Sequence, residues 1–167
     1  MKPILFTLAA TLACASPAFS QVKGGSDQKF VDFAAQTDMM EANLAQYAQD
    51  NAQSQGVKDY AQMLNADHTK DYTQLSDAAT KAGLTVPKGL DAMHNRKLAP
   101  LEKLKGTAFD HRYVSEMIMG HQQAIAEYKK EADKGQNPDI KAYANAALPV
   151  LQKHWDGAKS LAKQKMK

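Results

Sequence analysis

Four polar side chains interrupt the otherwise apolar helix faces of this sequence: Glu41, His68, His121 and His154. One carboxylate and three imidazoles are the oxygen and nitrogen donors with which proteins hold Zn, Cu, Fe or Ni. A single buried histidine usually belongs to a hydrogen-bonded core, so only the convergence of all four would indicate a metal site. That convergence depends on the helices that carry them.

The four residues lie in apolar stripes that recur every three or four positions, a pattern typical of helices packing into a bundle. Glu41 and His68 are nearly equidistant from Gln55, so antiparallel packing of their helices places them at the same height. His121 and His154 also fall near the middle of their helices, which predicts that the four side chains meet in one layer. The stripes are Phe30, Ala34, Thr37, Glu41, Leu44 and Ala48; Ala61, Leu64, His68, Leu75 and Ala79; Tyr113, Met117, His121, Ala124 and Tyr128; and Ala144, Ala147, Leu151, His154, Ala158 and Leu161.

Alanine-rich stretches without the alternation of strands predict an all-α chain, with glycine and proline marking the helix ends. Gly83 is placed to end the second helix, and Asn137 with Pro138 to begin the last one. Pro149 should kink that last helix just before His154, because it cannot donate to the preceding turn. The predicted helices cover residues 26–54, 57–83, 91–105 and 108–134, and the last begins at residue 138.

Two aspartates are candidate partners of the imidazoles. Asp67 lies next to His68 and Asp71 lies one turn further on, where a carboxylate could fix the tautomer of a ligating histidine. Asp71 is also a candidate additional ligand. A metal-free alternative is a buried hydrogen-bonded network in which a protonated histidine pairs with Glu41.

Redox chemistry of the di-iron type is a third alternative, but its Glu-x-x-His motif is absent. Asn65, Ile118 and Leu151 stand three residues before the three histidines, where that motif requires glutamate. The donor set therefore favours one divalent metal over a di-iron pair, and a binding role over catalysis. The sequence indicates no catalytic residue and no organic cofactor.

Other metal-ligating side chains are weaker candidates. His94 falls in an irregular connector and His111 lies off the apolar stripe, so both are expected to be exposed. Thioether ligation of copper is a further alternative, although methionine at helical spacing usually fills a core. The methionines concerned are Met39, Met40, Met117 and Met119.

The N-terminus has the pattern of a secretory signal peptide over residues 1–20, with Lys2 before an apolar run and cleavage between Ser20 and Gln21. A lipid anchor on Cys14 is the alternative. Since Cys14 is the single cysteine, the mature chain has no thiol for disulfides or thiolate ligands. We expect a periplasmic or secreted protein whose one domain covers residues 21–167.

The composition and charge of the chain argue against some classes of partner. A net charge of +3 and a pI near 8.8 favour no nucleic-acid partner. No segment of the mature chain is apolar enough over about 20 residues to span a membrane. The lysine-rich C-terminal end leaves peripheral association with the envelope as an alternative to simple solvation, and no protein partner is indicated.

Several short motifs resemble those of one family: Glu41 in the first helix, Met63 to His68, Phe109-Asp110 continuing to His121, and Leu148-Pro149 continuing to His154. Over its whole mature length the chain resembles the bacterial secreted proteins grouped as domain of unknown function 4142, which are placed with the ferritin-like bundles. The resemblance implies an antiparallel ferritin-like four-helix bundle. Residues 84–107 would form its long crossover and carry the short helix. The resemblance implies no activity.

Two functional classes remain from the sequence. The first is an exported helical bundle that binds one divalent metal for storage, buffering or stress protection. The second is a metal-free envelope protein that has a structural or partner-binding role and a hydrogen-bonded histidine core. A ferritin-like redox enzyme is the third candidate.

Overall fold

Five α-helices make up the computed structural model, which describes residues 25–164 of the chain. They are α1 (Ser26–Asn51), α2 (Gln55–Lys81), α3 (Ala92–Leu98), α4 (Gly106–Lys134) and α5 (Pro138–Lys163). No β-strand occurs within residues 25–164, so the all-α prediction is confirmed. The predicted signal peptide at residues 1–20, its cleavage site and Cys14 lie outside the described residues. None of the described helices is long and apolar enough to cross a lipid bilayer.

Helix ends follow local sequence signals in two of the predicted places. Gly83 has a left-handed backbone with φ of 69° two residues after the end of α2, and the amide of Leu84 donates to the carbonyl of Ala79 at 2.8 Å. Such a conformation suits glycine because it has no Cβ. Asn137 caps α5, since its side chain accepts from the amides of Asp139 and Ile140. The helix then continues through Pro149 to Lys163.

The connector between α2 and α4 differs from the predicted helix over residues 91–105. α3 ends at Leu98, and residues 99–103 form turns. Pro100 explains the early end, because it lacks an amide donor and restricts the residue before it. Gly106 begins α4 with a φ of 62°, two residues before the predicted start of the long helix at residue 108.

The four long helices surround two apolar clusters that are separated by a polar layer. α1 packs along α2 and α4 along α5, while α2 also packs on α5 and α1 on α4 and α3. One cluster contains Leu44, Leu64 and Met117, and the other contains Leu75 and Leu151. On each long helix one of the four candidate ligands lies between residues of the two clusters. The apolar stripes therefore place the four at one height, as predicted.

The α1–α2 and α4–α5 hairpins are related in sequence. Each matched pair of residues is separated by the same number of positions along the chain. Matches include Lys29-Phe30-Val31 with Arg112-Tyr113-Val114, Gln53 with Gln136, and Lys58 with Lys141. Tyr60-Ala61 likewise matches Tyr143-Ala144. The molecule is therefore built from two similar helical hairpins that pack against each other.

Matched aspartates join the two hairpins at their ends. Asp110 of α4 accepts from the backbone amides of Gln53 and Ser54 in the α1–α2 turn, at 2.9 and 2.8 Å. Its counterpart, Asp27 of α1, accepts from the amides of residues 136 and 137 in the α4–α5 turn, at 2.9 and 2.7 Å. Each turn thus has its amide groups satisfied by the opposite hairpin.

Candidate metal centre

The three predicted histidines and Glu41 meet between the apolar clusters, one from each long helix. The ring centroids of the histidines lie 5.2 to 5.7 Å apart, and one nitrogen of each ring lies within 4.8 Å of the other two. Oε2 of Glu41 is 2.9 Å from Nε2 of His68 and 3.3 Å from Nε2 of His121. All four side chains are at most 2% exposed. The sequence therefore brings one carboxylate and three imidazoles into a single buried cluster.

Each imidazole is held from its outer side by an oxygen acceptor. Nδ1 of His68 donates to Oδ1 of Asp38 at 2.9 Å, and Nδ1 of His121 donates to the carbonyl of Met117 at 2.9 Å. Nε2 of His154 donates to Oδ2 of Asp67 at 2.9 Å. These bonds place a proton on the outer nitrogen of every ring. They leave the inner nitrogen of a neutral ring with a free lone pair.

The inner atoms of the cluster have no hydrogen-bond partner among the described residues. They are Oε2 of Glu41, Nε2 of His68, Nε2 of His121 and Nδ1 of His154. Oε2 of Glu41 lies 2.9 Å from Nε2 of His68 and 3.3 Å from Nε2 of His121, close enough to pair with a nitrogen that carries a proton. Buried polar atoms are rarely left unsatisfied, because desolvation without a partner costs about 1–3 kcal/mol per group. Four of the eight such atoms among the described residues lie in this one cluster.

The electrostatics of the cluster divide the histidines into two kinds. Burial acts against the charged form of His68, but Glu41 and Asp38 outweigh it and raise the pKa of this ring well above its ordinary value. Burial lowers the pKa of His121, and it lowers the pKa of His154 to about 4. Burial of Glu41 is outweighed by the nearby histidines, which lower its pKa to about 2. At neutral pH the cluster therefore contains an ionised carboxylate, two neutral imidazoles and His68, which holds its proton more tightly than the other two rings.

Of the two aspartates predicted to hold an imidazole, Asp67 does so and Asp71 does not. Asp67 contacts His154 of the opposite hairpin and not its neighbour His68. Asp71 contacts no imidazole, since its Oδ2 accepts from Tyr143 at 2.7 Å and from Tyr128 at 3.4 Å. The partner of His68 is Asp38, which the sequence reasoning missed. Its position three residues before Glu41, on the same helix face, was the available signal.

The weaker candidates lie outside the cluster. His111 is exposed, as predicted. The prediction that His94 is exposed is wrong, because α3 folds its ring inward to 8% exposure and Nδ1 lies 2.8 Å from the carboxylate of Asp91. Met117 is a core residue, whereas Met119 is 51% exposed.

The described residues form paired helical hairpins around a buried cluster of three histidines and a glutamate. The sequence model of the family described as Domain of unknown function (DUF4142) matches residues 9–161, so the chain belongs to that family. The predicted membership of the family of domain of unknown function 4142 is thereby confirmed.

One solved structure adds a likeness of fold. The chain is similar to the crystal structure of a DUF305 fragment from Deinococcus radiodurans, with a TM-score of 0.71 and 17% sequence identity. The match covers 83% of this chain and 97% of that chain. A likeness at this identity concerns the fold alone. Comparison with curated proteins finds no match.

Proposed function

We propose that the protein binds one divalent transition metal, Zn, Cu, Fe or Ni, between Glu41, His68, His121 and His154. The observation that carries this proposal is that every imidazole is held on one nitrogen by an oxygen, while one nitrogen of each of the three rings lies within 4.8 Å of the other two. Histidine ligands of metals typically donate their second ring N–H to a carboxylate or a backbone carbonyl, which fixes the ring and its tautomer. Asp38, the Met117 carbonyl and Asp67 occupy those outer positions.

The donor set suits a single borderline metal ion. Three imidazoles and one carboxylate satisfy four-coordinate Zn and are also acceptable to Cu, Ni and Fe(II). A divalent cation would supply the inner atoms with the partner that the described residues do not provide, and it would offset the charge of Glu41. With four protein ligands and complete burial, the site suits holding a metal better than turning over a substrate. Storage, buffering or protection against metal stress is the role we propose.

A Co(II) titration of the metal-free protein, followed by visible d–d absorption, tests the site. His121→Ala and His154→Ala should each weaken binding by at least about 100-fold, since each removes a ligand and opens a cavity. His94→Ala is the matched control, because His94 is also buried and bonded to an aspartate but lies outside the cluster. Equal binding by the wild type and the two ligand variants would contradict the assignment.

The outer carboxylate provides a second test. Asp38→Asn keeps the size of the side chain but removes the charge that fixes His68, so metal affinity should fall about 10- to 100-fold. Asp71→Asn should leave metal affinity within about threefold of the wild type, because Asp71 bonds tyrosines and no imidazole. If the two variants behave alike, the outer position assigned to Asp38 is wrong.

A metal-free structural role is the second candidate, and one geometric observation favours it. His68 lies between Asp38 and Glu41, with each carboxylate 2.9 Å from one of its two nitrogens. A protonated His68 would pair with both carboxylates and stabilise the layer without a metal. This candidate predicts that His68→Gln destabilises the fold strongly and that added metal never changes the melting temperature.

We propose two further features on the basis of the sequence. The pattern of residues 1–20 supports export to the periplasm or outside the cell, with a lipid anchor on Cys14 as the alternative. The packing of the four long helices supports a ferritin-like antiparallel four-helix bundle in which residues 84–107 form the crossover. Peptide mapping of the mature protein from fractionated cells tests the export and shows whether the N-terminus is Gln21.

A further inference from the structure

The four side chains of the cluster are at most 2% exposed, so an ion needs a path through the surrounding residues to reach them. Three cavities lie around the cluster. One of about 620 Å³ is lined by α1, α3 and α4, and one of about 390 Å³ is lined mainly by α1 and α2. The third is a groove of about 490 Å³ between α2 and α5. They differ in what separates them from the cluster.

The α2–α5 groove is joined to the cluster through a residue that faces solvent. Asp67 lines the groove, its side chain is 34% exposed, and its Oδ2 accepts from Nε2 of His154 at 2.9 Å. The largest cavity borders the cluster at Glu41, which is 1% exposed. The smallest borders it at Asp38 and His68, which are 1% and 2% exposed. The groove is therefore the side on which a group open to solvent bonds directly to a cluster residue.

The ring of His154 is also held less firmly than the other two rings. Their acceptors belong to Asp38 and Met117, which are buried. Water can compete for the exposed carboxylate of Asp67, so the bond from His154 is easier to break than a buried one. The backbone at this point is fixed, because Tyr60 donates to the carbonyl of His154 at 2.9 Å. The part of His154 that is free to turn is the ring.

The α5 wall of the groove leaves room for an ion. An ion with a shell of six waters needs roughly 200 Å³ at about 30 Å³ per water, which is less than the volume of the groove. Pro149 lacks the amide that would donate to the carbonyl of Asn145, so α5 is missing one helix hydrogen bond beside the groove. The side chains that α5 places there are mostly small, and they include Ala142, Ala146, Ala147 and Val150.

The number of charged groups does not distinguish the groove from the largest cavity, because each is lined by four carboxylates and two lysine or arginine side chains. Their arrangement does. In the largest cavity Glu116 is paired with Arg112 at 2.6 Å, and Glu41 is buried. In the groove Asp67 and Asp71 lie one helical turn apart on α2, on the same face. A cation in the groove is therefore attracted to the side on which His154 is held.

We propose that the metal ion enters and leaves the centre through the α2–α5 groove, with Asp67 as the carboxylate that receives it and the ring of His154 as the gate. The inference rests on the proposed function, because it names the route to the same site. The ion first binds the exposed carboxylate of Asp67. The ring of His154 then releases Oδ2 and turns, keeping its proton on Nε2, and the ion passes to the inner atoms of the cluster. The ring turns back and bonds Asp67 again.

Stopped-flow mixing of the metal-free protein with Co(II), and of the loaded protein with EDTA, measures the association and release rates by visible absorption. Val150→Trp would obstruct the groove at a residue that is 41% exposed. Both rates should fall at least about tenfold while Kd stays within about threefold, because an obstacle on the path raises the barrier in both directions. Met93→Trp is the matched control, since Met93 is 54% exposed and lines the largest cavity. Slower rates in the Met93 variant, or unchanged rates in the Val150 variant, would overturn the route.

A second pair of variants separates entry from simple anchoring of a ring. Asp67→Asn keeps the size of the side chain but removes the charge that receives the ion, so association should slow at least about tenfold. Asp38→Asn also removes the charge of a carboxylate that holds a histidine, but Asp38 is buried. Its loss of affinity should therefore appear in faster release, with association within about threefold of the wild type. If Asp67→Asn changes only the release rate, Asp67 merely holds His154 and the inference is wrong.

The equilibrium titration distinguishes failure of the route from failure of the centre. A wild type that binds no Co(II) would contradict the metal centre and the route together. Co(II) binding that needs His121 and His154, combined with unchanged rates in Val150→Trp, would contradict the route alone.

Discussion

The two hairpins are similar at their ends and different in the middle. Asp27 and Asp110 make the same pair of backbone contacts at opposite ends of the molecule. In the central layer, however, the α1–α2 hairpin has Asp38 and Asp71 where the α4–α5 hairpin has His121 and His154 at the matched positions. The matched ends build the scaffold, and the unmatched middle builds the cluster. One hairpin supplies the carboxylates, and the other supplies two neutral imidazoles.

This division has a physical consequence for each hairpin alone. The first hairpin would bury Asp38 and Glu41 with only His68 to offset their charge. The second hairpin would bury two neutral imidazoles, and neither of the cluster residues that it contributes is a carboxylate. Burying unpaired charge is unfavourable, so the polar layer favours packing of one hairpin on the other over packing of two identical hairpins. The asymmetry specifies the pairing as well as the site.

The largest effect is expected where the hairpins are most alike. Asp110→Ala leaves two amides of the α1–α2 turn without a partner and should destabilise the protein by about 3 kcal/mol. Asp27→Ala should cost less, about 1–2 kcal/mol, because Asp27 is more exposed and its removal relieves Glu131. Urea denaturation of both variants measures the difference. A larger loss for Asp27→Ala would show that the two contacts are not ranked by burial.

An intermediate effect is expected at Pro149, whose matched residue in α2 is Ala66. Pro149→Ala restores a backbone donor, so α5 should change its path near His154 while total helix content stays the same. Metal affinity should fall about tenfold. This is the lower end of the loss expected when the groups that orient a ligating histidine are disturbed. Circular dichroism and amide NMR shifts around His154 check the two parts. Unchanged amide shifts together with an unchanged metal affinity would contradict the predicted kink at Pro149.

The smallest effect is expected at Glu131, which is 5% exposed and whose matched residue is Ala48. Burial and the Asp27 carboxylate raise the pKa of Glu131 from 4.5 to about 7. The folded state therefore binds this proton more tightly than the unfolded state, and stability falls as the pH rises from about 4.5 to about 7. Glu131→Gln should flatten this part of the profile and raise the melting temperature at pH 8. Parallel profiles for the variant and the wild type, measured by thermal denaturation, would refute the assignment.

The sequence predicts the helices and the four cluster residues because both depend on periodicity. Glu41, His68, His121 and His154 each interrupt an apolar stripe, and a stripe faces the core whatever the details of packing. The turn at Gly83 and the cap at Asn137 are equally local, since a left-handed glycine and an Asx cap depend on a few neighbouring residues.

The contacts around the cluster depend on how the hairpins pack, which periodicity does not specify. Asp67 bonds His154 across the α2–α5 interface, and Asp38 bonds His68 across α1–α2. The burial of His94 depends on α3, which ends at Leu98 and packs on α1. The relation between the hairpins was available from the sequence, and a search for internal repeats would have found it.

The most direct test of the central claim is an anomalous diffraction map of crystals grown with one equivalent of Zn, collected at the zinc edge. We expect a single strong peak at about 2.0–2.2 Å from Oε2 of Glu41, Nε2 of His68, Nε2 of His121 and Nδ1 of His154. Asp38 and Asp67 should keep their bonds to the outer nitrogens of His68 and His154. A map without a peak between the four side chains, or with its strongest peak at the exposed His111, would contradict the metal centre and favour the hydrogen-bonded core.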